Sequence, residues 1–510
     1  LSQGVMRQCA WGDSGTTLIQ GGMVVPDPRS PALTCDVLVR AGVIEALLTP
    51  GELQPSPDMR VIDARENLLI PGLINTHTHS HFTFGKGRNL GWNLELHQHL
   101  TPGLSGQQTI SDLALHARVA AAEMISKGCT SCYDMVVQLP VPTPEGMLAV
   151  AEAYAAVGLR ARIALNIADQ TVWNGLPGLR DSLPPDGQAL VDSFQQHGAN
   201  TNELLGAAAD VISCWKTSAP AGISLALAPS NPLLCSEALF KGAVELAQRH
   251  GVELHTHLAE SKIQAESGLR RFGKSLTRYL ADLGCLNSNL TAAHAVWVDE
   301  NDLQLMAQHG VKVAHNPASN LRLGNGVASV RNMLDLGISL GIGTDACSCS
   351  DQLNMFESVR QAALVSRLLS DDSQRWLSAA DALELATTQA ARVIGEPSLG
   401  KIAHGCAADI VFLNRSNLNY VPLNDAVTQV VFNENGGAVR SVMVGGTLVF
   451  EGGRFTRIDL SALATQANKR NAERRELLAD KERVLERFTG SVNAFSAAYG
   501  AREQYANNDH

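Results

Sequence analysis

The chain has 510 residues, a net charge of −10 from 40 Lys+Arg against 50 Asp+Glu, and 45% hydrophobic residues. That length and apolar content support a large core, and the acidic balance offers no footprint for a nucleic-acid partner. No apolar run approaches the roughly 18 residues of a membrane span. The first residues lack the charged-then-apolar layout of a signal peptide, and the 10 cysteines are scattered, so the expectation is reduced thiols in a cytoplasm. Cys129 and Cys132 form the one CxxC pair. They read as small residues filling a buried strand.

In chain order, residues 17–70 read as short β segments punctuated by Gly21-Gly22 and by Pro26 to Pro31. A matching set returns at 408–414, 427–433 and 439–453, with a hairpin turn at Gly445-Gly446. The two flanks, 1–70 and 396–455, are expected to form one composite β-sandwich domain. Between them, residues 71–395 alternate strand and helix. Counting from His77 there are eight apolar strands, each followed by a helical stretch. That is the requirement of a (β/α)8 TIM-type barrel, so the fold class expected is α/β. The stretch 169–222 breaks the rhythm and is expected to cover the barrel mouth. Residues 456–510 turn charge-rich and helical. Their acids and bases interleave, which suits a solvated helix packed on the barrel or on a partner subunit.

The polar residues fall where these strands end. PGLINTHTHSHF ends an apolar run in His77 and His79, which face one side of a strand. Two converging imidazoles suit a divalent transition metal. His257 ends the fifth strand with Glu260 three residues on, His294 the sixth, His315 the seventh and Asp345 the eighth. A barrel gathers strand ends at one mouth, so His77, His79, His257, His294 and Asp345 are expected to meet there. His255 points the same way as His257 but deeper, and reads as a packed histidine.

These stretches (PGLINTHTH, LHTHLAES, AAHAVWVD, VAHNPASNLRLGNG and GIGTDACSCSDQLNMFESVR, with LGKIAHGCAADIVFLN behind them) resemble the amidohydrolase superfamily. The likeness is to its cytosine deaminase and chlorohydrolase branch, which includes guanine and S-adenosylhomocysteine deaminases and s-triazine hydrolases. It runs from about Leu18 to Gly453. Carried over by position, it implies His77, His79, His257 and Asp345 as metal ligands and Glu260 as the acid/base carboxylate. His294 would steer the water or polarise the oxyanion. Members with two metals bridge them by a lysine at the end of strand four; here that strand ends LALAPSNP. One divalent metal per chain is therefore expected, zinc before Fe2+.

The chemistry implied is attack of metal-bound hydroxide on a C=N carbon of a purine, pyrimidine, pterin or triazine, with ammonia released. The alternative is an s-triazine-type hydrolase releasing halide or alkylamine. The lysine's absence argues against ring-opening amide hydrolases such as dihydropyrimidinases. Substrate contacts are expected from Arg88 in the loop after strand one, from His315, and from Trp92 by stacking. Ser348, Cys349, Ser350 and Asp351 depart from the small-residue and asparagine run usual after the metal aspartate, which leaves the substrate open. The partner expected is a small heterocycle, with no nucleic acid and no membrane, in a homo-oligomer.

Overall fold

The computed structural model describes residues 15–506. The first five strands are β1 (Thr16–Val24), β2 (Leu33–Arg40), β3 (Val43–Leu48), β4 (Met59–Asp63) and β5 (Asn67–Pro71). Eight more follow: β6 (Leu73–Thr78), β7 (Cys129–Val137), β8 (Arg160–Ile167), β9 (Ile223–Pro229), β10 (Glu253–Leu258), β11 (Leu290–His294), β12 (Lys312–His315) and β13 (Leu340–Ile342). The last four are β14 (Ile410–Asn414), β15 (Val439–Val444), β16 (Thr447–Glu451) and β17 (Arg454–Phe455).

Strands β6 to β13 form one sheet in sequential order, every neighbouring pair parallel. Sequential parallel strands need a crossover each, and the intervening helices supply it. The sheet closes on itself where β13 returns to β6. Thr344 and Asp345 donate their N–H groups to the His77 carbonyl at 3.1 and 2.9 Å. Strand interiors such as Ile74, Tyr133, Met135, Ala164 and Ala226 fill the barrel as a packed core.

The other strands make a nine-stranded mixed sheet in the order β17-β16-β15-β14-β5-β1-β2-β3, with β4 beside β1. Antiparallel pairing of β14 with β5 stitches the two ends of the chain together, Ile410 opposite Pro71 and Phe412 opposite Leu69. The sheet then folds over: Val43 at the start of β3 bridges Ala407, just ahead of β14. Between its faces lies a second apolar core that includes Ile19, Val37, Leu69, Phe412 and Met443. Strand β5 runs through Pro71-Gly72 straight into β6, so the composite sheet braces the strand that carries His77. Gly72 has no room for a side chain there, since a Cβ would stand 2.2 Å from the Thr130 hydroxyl.

Two readings of the sequence change. Residues 427–433, read as a strand, lie in a helix, Ala426–Phe432. Its β-branched valines mimic a strand run, but Asp425 caps the helix by accepting from the Thr428 N–H, and the buried residues Ala426, Val430 and Val431 follow a helical period. The stretch 169–222 does not roof the mouth. Its long helix, Thr201–Ser218, lies outside the barrel against helices Pro144–Val157 and Glu237–His250. The short turn Val172–Gly175 packs on the helix at the mouth, Leu94–Ser105. There the Trp173 indole N–H donates to His99 Nδ1 at 2.9 Å.

The long C-terminal helix, Leu460–Glu486, covers the mouth helix and its successor, Ile110–Ser126. It is pinned by Asp112, which takes Arg470 at 2.6 Å and Arg474 at 3.1 Å. No helix of the described residues is long and apolar enough to cross a membrane.

Candidate metal centre

His77 and His79 leave β6 two residues apart, and His257 leaves β10. His294 ends β11 on left-handed backbone (φ 71°), and Asp345 follows β13 with φ 61°. Ala259, just before Glu260, is also left-handed at φ 45°. Such conformations cost about 1–3 kcal/mol each in non-glycine residues, and here they cluster where strand ends turn side chains inward. The six polar residues meet. Ligand atoms of His77, His79 and Asp345 lie within 4.8 Å of one another, as do those of His77, His257 and His294, and of Glu260, His294 and Asp345.

Hydrogen bonds to the far side of each ring settle the tautomers. His79 Nδ1 donates to the Met135 carbonyl at 2.8 Å, and His257 Nδ1 to the Ser230 carbonyl at 2.8 Å. Both Nε2 atoms therefore carry lone pairs, yet they face each other at 3.2 Å. Asp345 Oδ1 stands 3.4 Å from His79 Nε2 and 3.5 Å from His77 Nε2. His77 Nε2 and His294 Nε2 are buried with no hydrogen-bond partner. Lone pairs converging in a buried pocket repel unless a cation lies among them. Zinc bonds of about 2.0–2.1 Å at tetrahedral angles put neighbouring nitrogens about 3.3 Å apart. The donor set and its spacing fit a divalent metal, which His77, His79, His257 and Asp345 could hold. Strand β9 offers no lysine for a second.

Burial sets the protonation states. It pushes His77 down to about 3, and with neighbouring imidazoles it pushes His257 and His255 well below the usual histidine range. Burial, then the Asp345 charge, then Glu95, pushes Glu260 well above the usual carboxyl range. Burial acts on Asp345 in the same upward sense, but the imidazoles gathered around it, His77 first, then His294 and His79, outweigh it and hold Asp345 well below. Two neighbouring carboxyls are thus pushed in opposite directions, Glu260 toward its protonated form and Asp345 toward its ionised form. Such separation is how one site runs acid and base chemistry together.

The cluster floors a cavity of about 160 Å3 walled by His81, Phe82, Leu94, His97, Gln98, Asn166, Asn231 and Cys349, among others. A larger cleft of about 750 Å3 opens elsewhere, around Arg160, Arg162, Trp215 and Glu253 where β8 and β10 begin. The converging ligands and the split carboxyls assign the chemistry to the smaller one.

Three residues expected at the substrate lie outside its wall. Arg88 is ion-paired with Glu482 of the C-terminal helix and faces a small void beside His116 and Arg474. That helix supplies the acid that turns the guanidinium away. His315 is buried on a different cavity, with Ser329, Arg331 and Arg375. Trp92 is partly buried in the core, its ring 6.3 Å from that of His97.

Sequence reasoning passed over the groups that hold the acid and His294 in place. Asn325 Nδ2 donates to Glu260 Oε1 at 3.1 Å, and Asn320 Oδ1 lies 2.9 Å from His294 Nδ1. Gln264 Oε1 accepts from the Glu260 N–H at 3.0 Å. The signal for two of them was the asparagine-rich run after His315, Asn316 through Asn325.

A sequential parallel barrel, a folded-over sheet from both chain ends and histidines at the strand ends together define a metal-dependent hydrolase. The Amidohydrolase family matches residues 68–449, and the chain belongs to that family. Among its relatives is a 5-methylthioadenosine/S-adenosylhomocysteine deaminase of Carboxydothermus hydrogenoformans, 27% identical, over 89% of this chain and 97% of the relative. A 5'-deoxyadenosine deaminase of Methanopyrus kandleri is 30% identical, over 86% of this chain and 95% of the relative. Among solved structures, an adenosine deaminase from Xanthomonas campestris with bound zinc has a TM-score of 0.78 and 26% identity, over 92% of this chain and 98% of that one. A triazine hydrolase from Arthrobacter aurescens has a TM-score of 0.79 and 25% identity, over 89% and 99%.

Proposed function

We propose that this protein is an aminohydrolase that replaces the exocyclic amino group of a nitrogen heterocycle by oxygen and releases ammonia, using one zinc ion. His77, His79, His257 and Asp345 would hold the metal. Bound there, it acts as a Lewis acid that makes water nucleophilic near neutral pH. Asp345, ionised, accepts a proton from the water. Glu260, protonated, donates to the ring nitrogen as the C=N carbon is attacked. It then recovers the proton that Asp345 took from the water and passes it to the amine, which leaves as ammonia while the attacking oxygen gives its remaining proton to Glu260 and the ring carbon becomes a carbonyl. His294, with its Nδ1 proton given to Asn320, turns Nε2 toward Glu260 Oε2 at 3.7 Å and Asp345 Oδ2 at 3.9 Å, where it helps move protons between them.

The observation that carries this reading is geometric: two buried carboxyls share one site, Asp345 within the histidine cluster and Glu260 beside it, with ligand atoms of Glu260, His294 and Asp345 within 4.8 Å of one another. The relatives' names put 6-aminopurine nucleosides such as 5'-deoxyadenosine first among substrates to assay. A second reading, a triazine-type hydrolase releasing halide or alkylamine, draws on the similarity to the Arthrobacter enzyme. Glu260→Gln separates release of an amine from release of halide. An amine must be protonated to leave, so the deaminase should lose about 10²–10⁴-fold, mainly in kcat, while retaining its metal. Near-normal turnover of this variant would move the halide-releasing reading ahead.

A further inference from the structure

The three imidazoles assigned to the metal are not held alike. His79 and His257 each lean on a main-chain carbonyl. His77 Nδ1 instead meets another side chain, His255 Nε2, at 3.0 Å. The two rings lie nearly parallel, centroids 4.9 Å apart and planes 27° apart. Both are fully buried, and the Tyr133 ring stands at right angles to His255 with a 4.3 Å centroid separation.

We infer that His255 is a positioning residue for the metal centre: as a neutral imidazole it accepts the His77 Nδ1 proton and so aims His77 Nε2 at the metal. The inference rests on the metal assignment above. A ligating His77 Nε2 must present its lone pair, which leaves the ring proton on Nδ1. Only a lone pair can receive that proton, so His255 must be bare on Nε2 and protonated on Nδ1. His255 sits two residues before His257 on β10, one layer deeper, where alternation brings it under the site. The usual acceptor behind a metal-bound imidazole is a carboxylate, a carbonyl or water. Here a side chain that bears no charge does the work, so His77 gains orientation without being made more anionic. Packing alone would give His255 no preferred tautomer and no specific partner.

Two substitutions distinguish hydrogen bonding from packing. His255→Gln keeps an acceptor near the position of Nε2 but loses the ring. His255→Phe keeps the ring volume against His77 and Tyr133 but offers no acceptor. Zinc affinity is measured by competition with a chromogenic chelator on folded, metal-stripped protein, and the visible spectrum is recorded with Co2+ bound. The expected result is a dissociation constant about 10–100-fold weaker, with a shifted Co2+ band, for His255→Phe. His255→Gln should stay near the parent in both. The reverse order would overturn the inference in favour of packing, as would two variants equal to the parent. Parent protein that takes up no zinc would instead defeat the metal assignment. Should either variant fail to fold, long-range 1H–15N correlation on the parent protein with labelled histidine reads the tautomer directly. His255 protonated on Nε2 would overturn the inference.

Discussion

Glu260 shows how a single neighbour decides what a carboxyl can do. Asn325 donates to Oε1, so the proton that burial keeps on Glu260 resides on Oε2, the oxygen 3.7 Å from His294. The amide thus fixes both the position of the acid and which oxygen delivers the proton. An amide donor also favours the ionised form, and here it lowers an otherwise raised pKa. Asn325→Ala should therefore cut kcat by about 10² through misplacement. It should also move the alkaline limb of the kcat–pH profile upward. An unchanged or downward-shifted limb in steady-state kinetics across pH would refute this role.

At the scale of elements, Asp112 joins two helices by one side chain. It closes a capping box with Thr109 at the start of Ile110–Ser126 and takes Arg470 and Arg474 from the C-terminal helix. Arg474 is itself buried and also donates to the Gln107 and Gly106 carbonyls. Removing one partner of a buried pair leaves the other charge uncompensated, at a cost of about 3–5 kcal/mol. Asp112→Asn should loosen residues 460–486 from the barrel and release the Arg88–Glu482 pair that borders the mouth. Hydrogen exchange should then quicken throughout that helix while the barrel strands stay protected. Exchange unchanged in the helix would show that its apolar contacts suffice, among them Leu463, Leu478 and Leu485.

Across the whole molecule the buried histidines govern acid sensitivity. Burial leads the downward shift of nine of them: His77, His81, His97, His99, His116, His255, His257, His294 and His315. His97 and His116 fall to about 4, and His315 to about 3. Each resists protonation when folded relative to the unfolded chain, which takes protons below about 6.5, so the unfolded chain binds more protons and stability drops as pH falls through that value. Four buried carboxyls with raised pKa values, Glu95, Asp134, Glu260 and Asp302, act in the opposite sense above the normal carboxyl range. Nine histidines outweigh four carboxyls, so metal-free protein should unfold at progressively lower urea concentration from pH 7 to pH 5. A midpoint that held or rose on acidification would contradict this.

Local pattern alone made legible the eight-strand rhythm, the two β flanks and five strand-end residues that meet at the mouth, while Glu260 was singled out by the family resemblance. A strand's period of two orients His77 with His79, and the end of an apolar run marks where a side chain meets the mouth. The Gly445-Gly446 hairpin was legible for a similar reason, both residues having positive φ, 54° and 81°. What lies beyond a strand's last residue was not legible, because the path of a loop depends on distant chain. Arg88 finds Glu482, 394 residues on. Residues 427–433 have strand-like composition, yet they pack as a helix against Met355–Val365 and Ala379–Glu384. His255 looked like core and is core, but only the tertiary structure sets His77 Nδ1 3.0 Å from it. The split between the two carboxyls also arises there: Glu260 and Asp345 are alike in the sequence, and only burial and the neighbouring groups push one upward and the other downward.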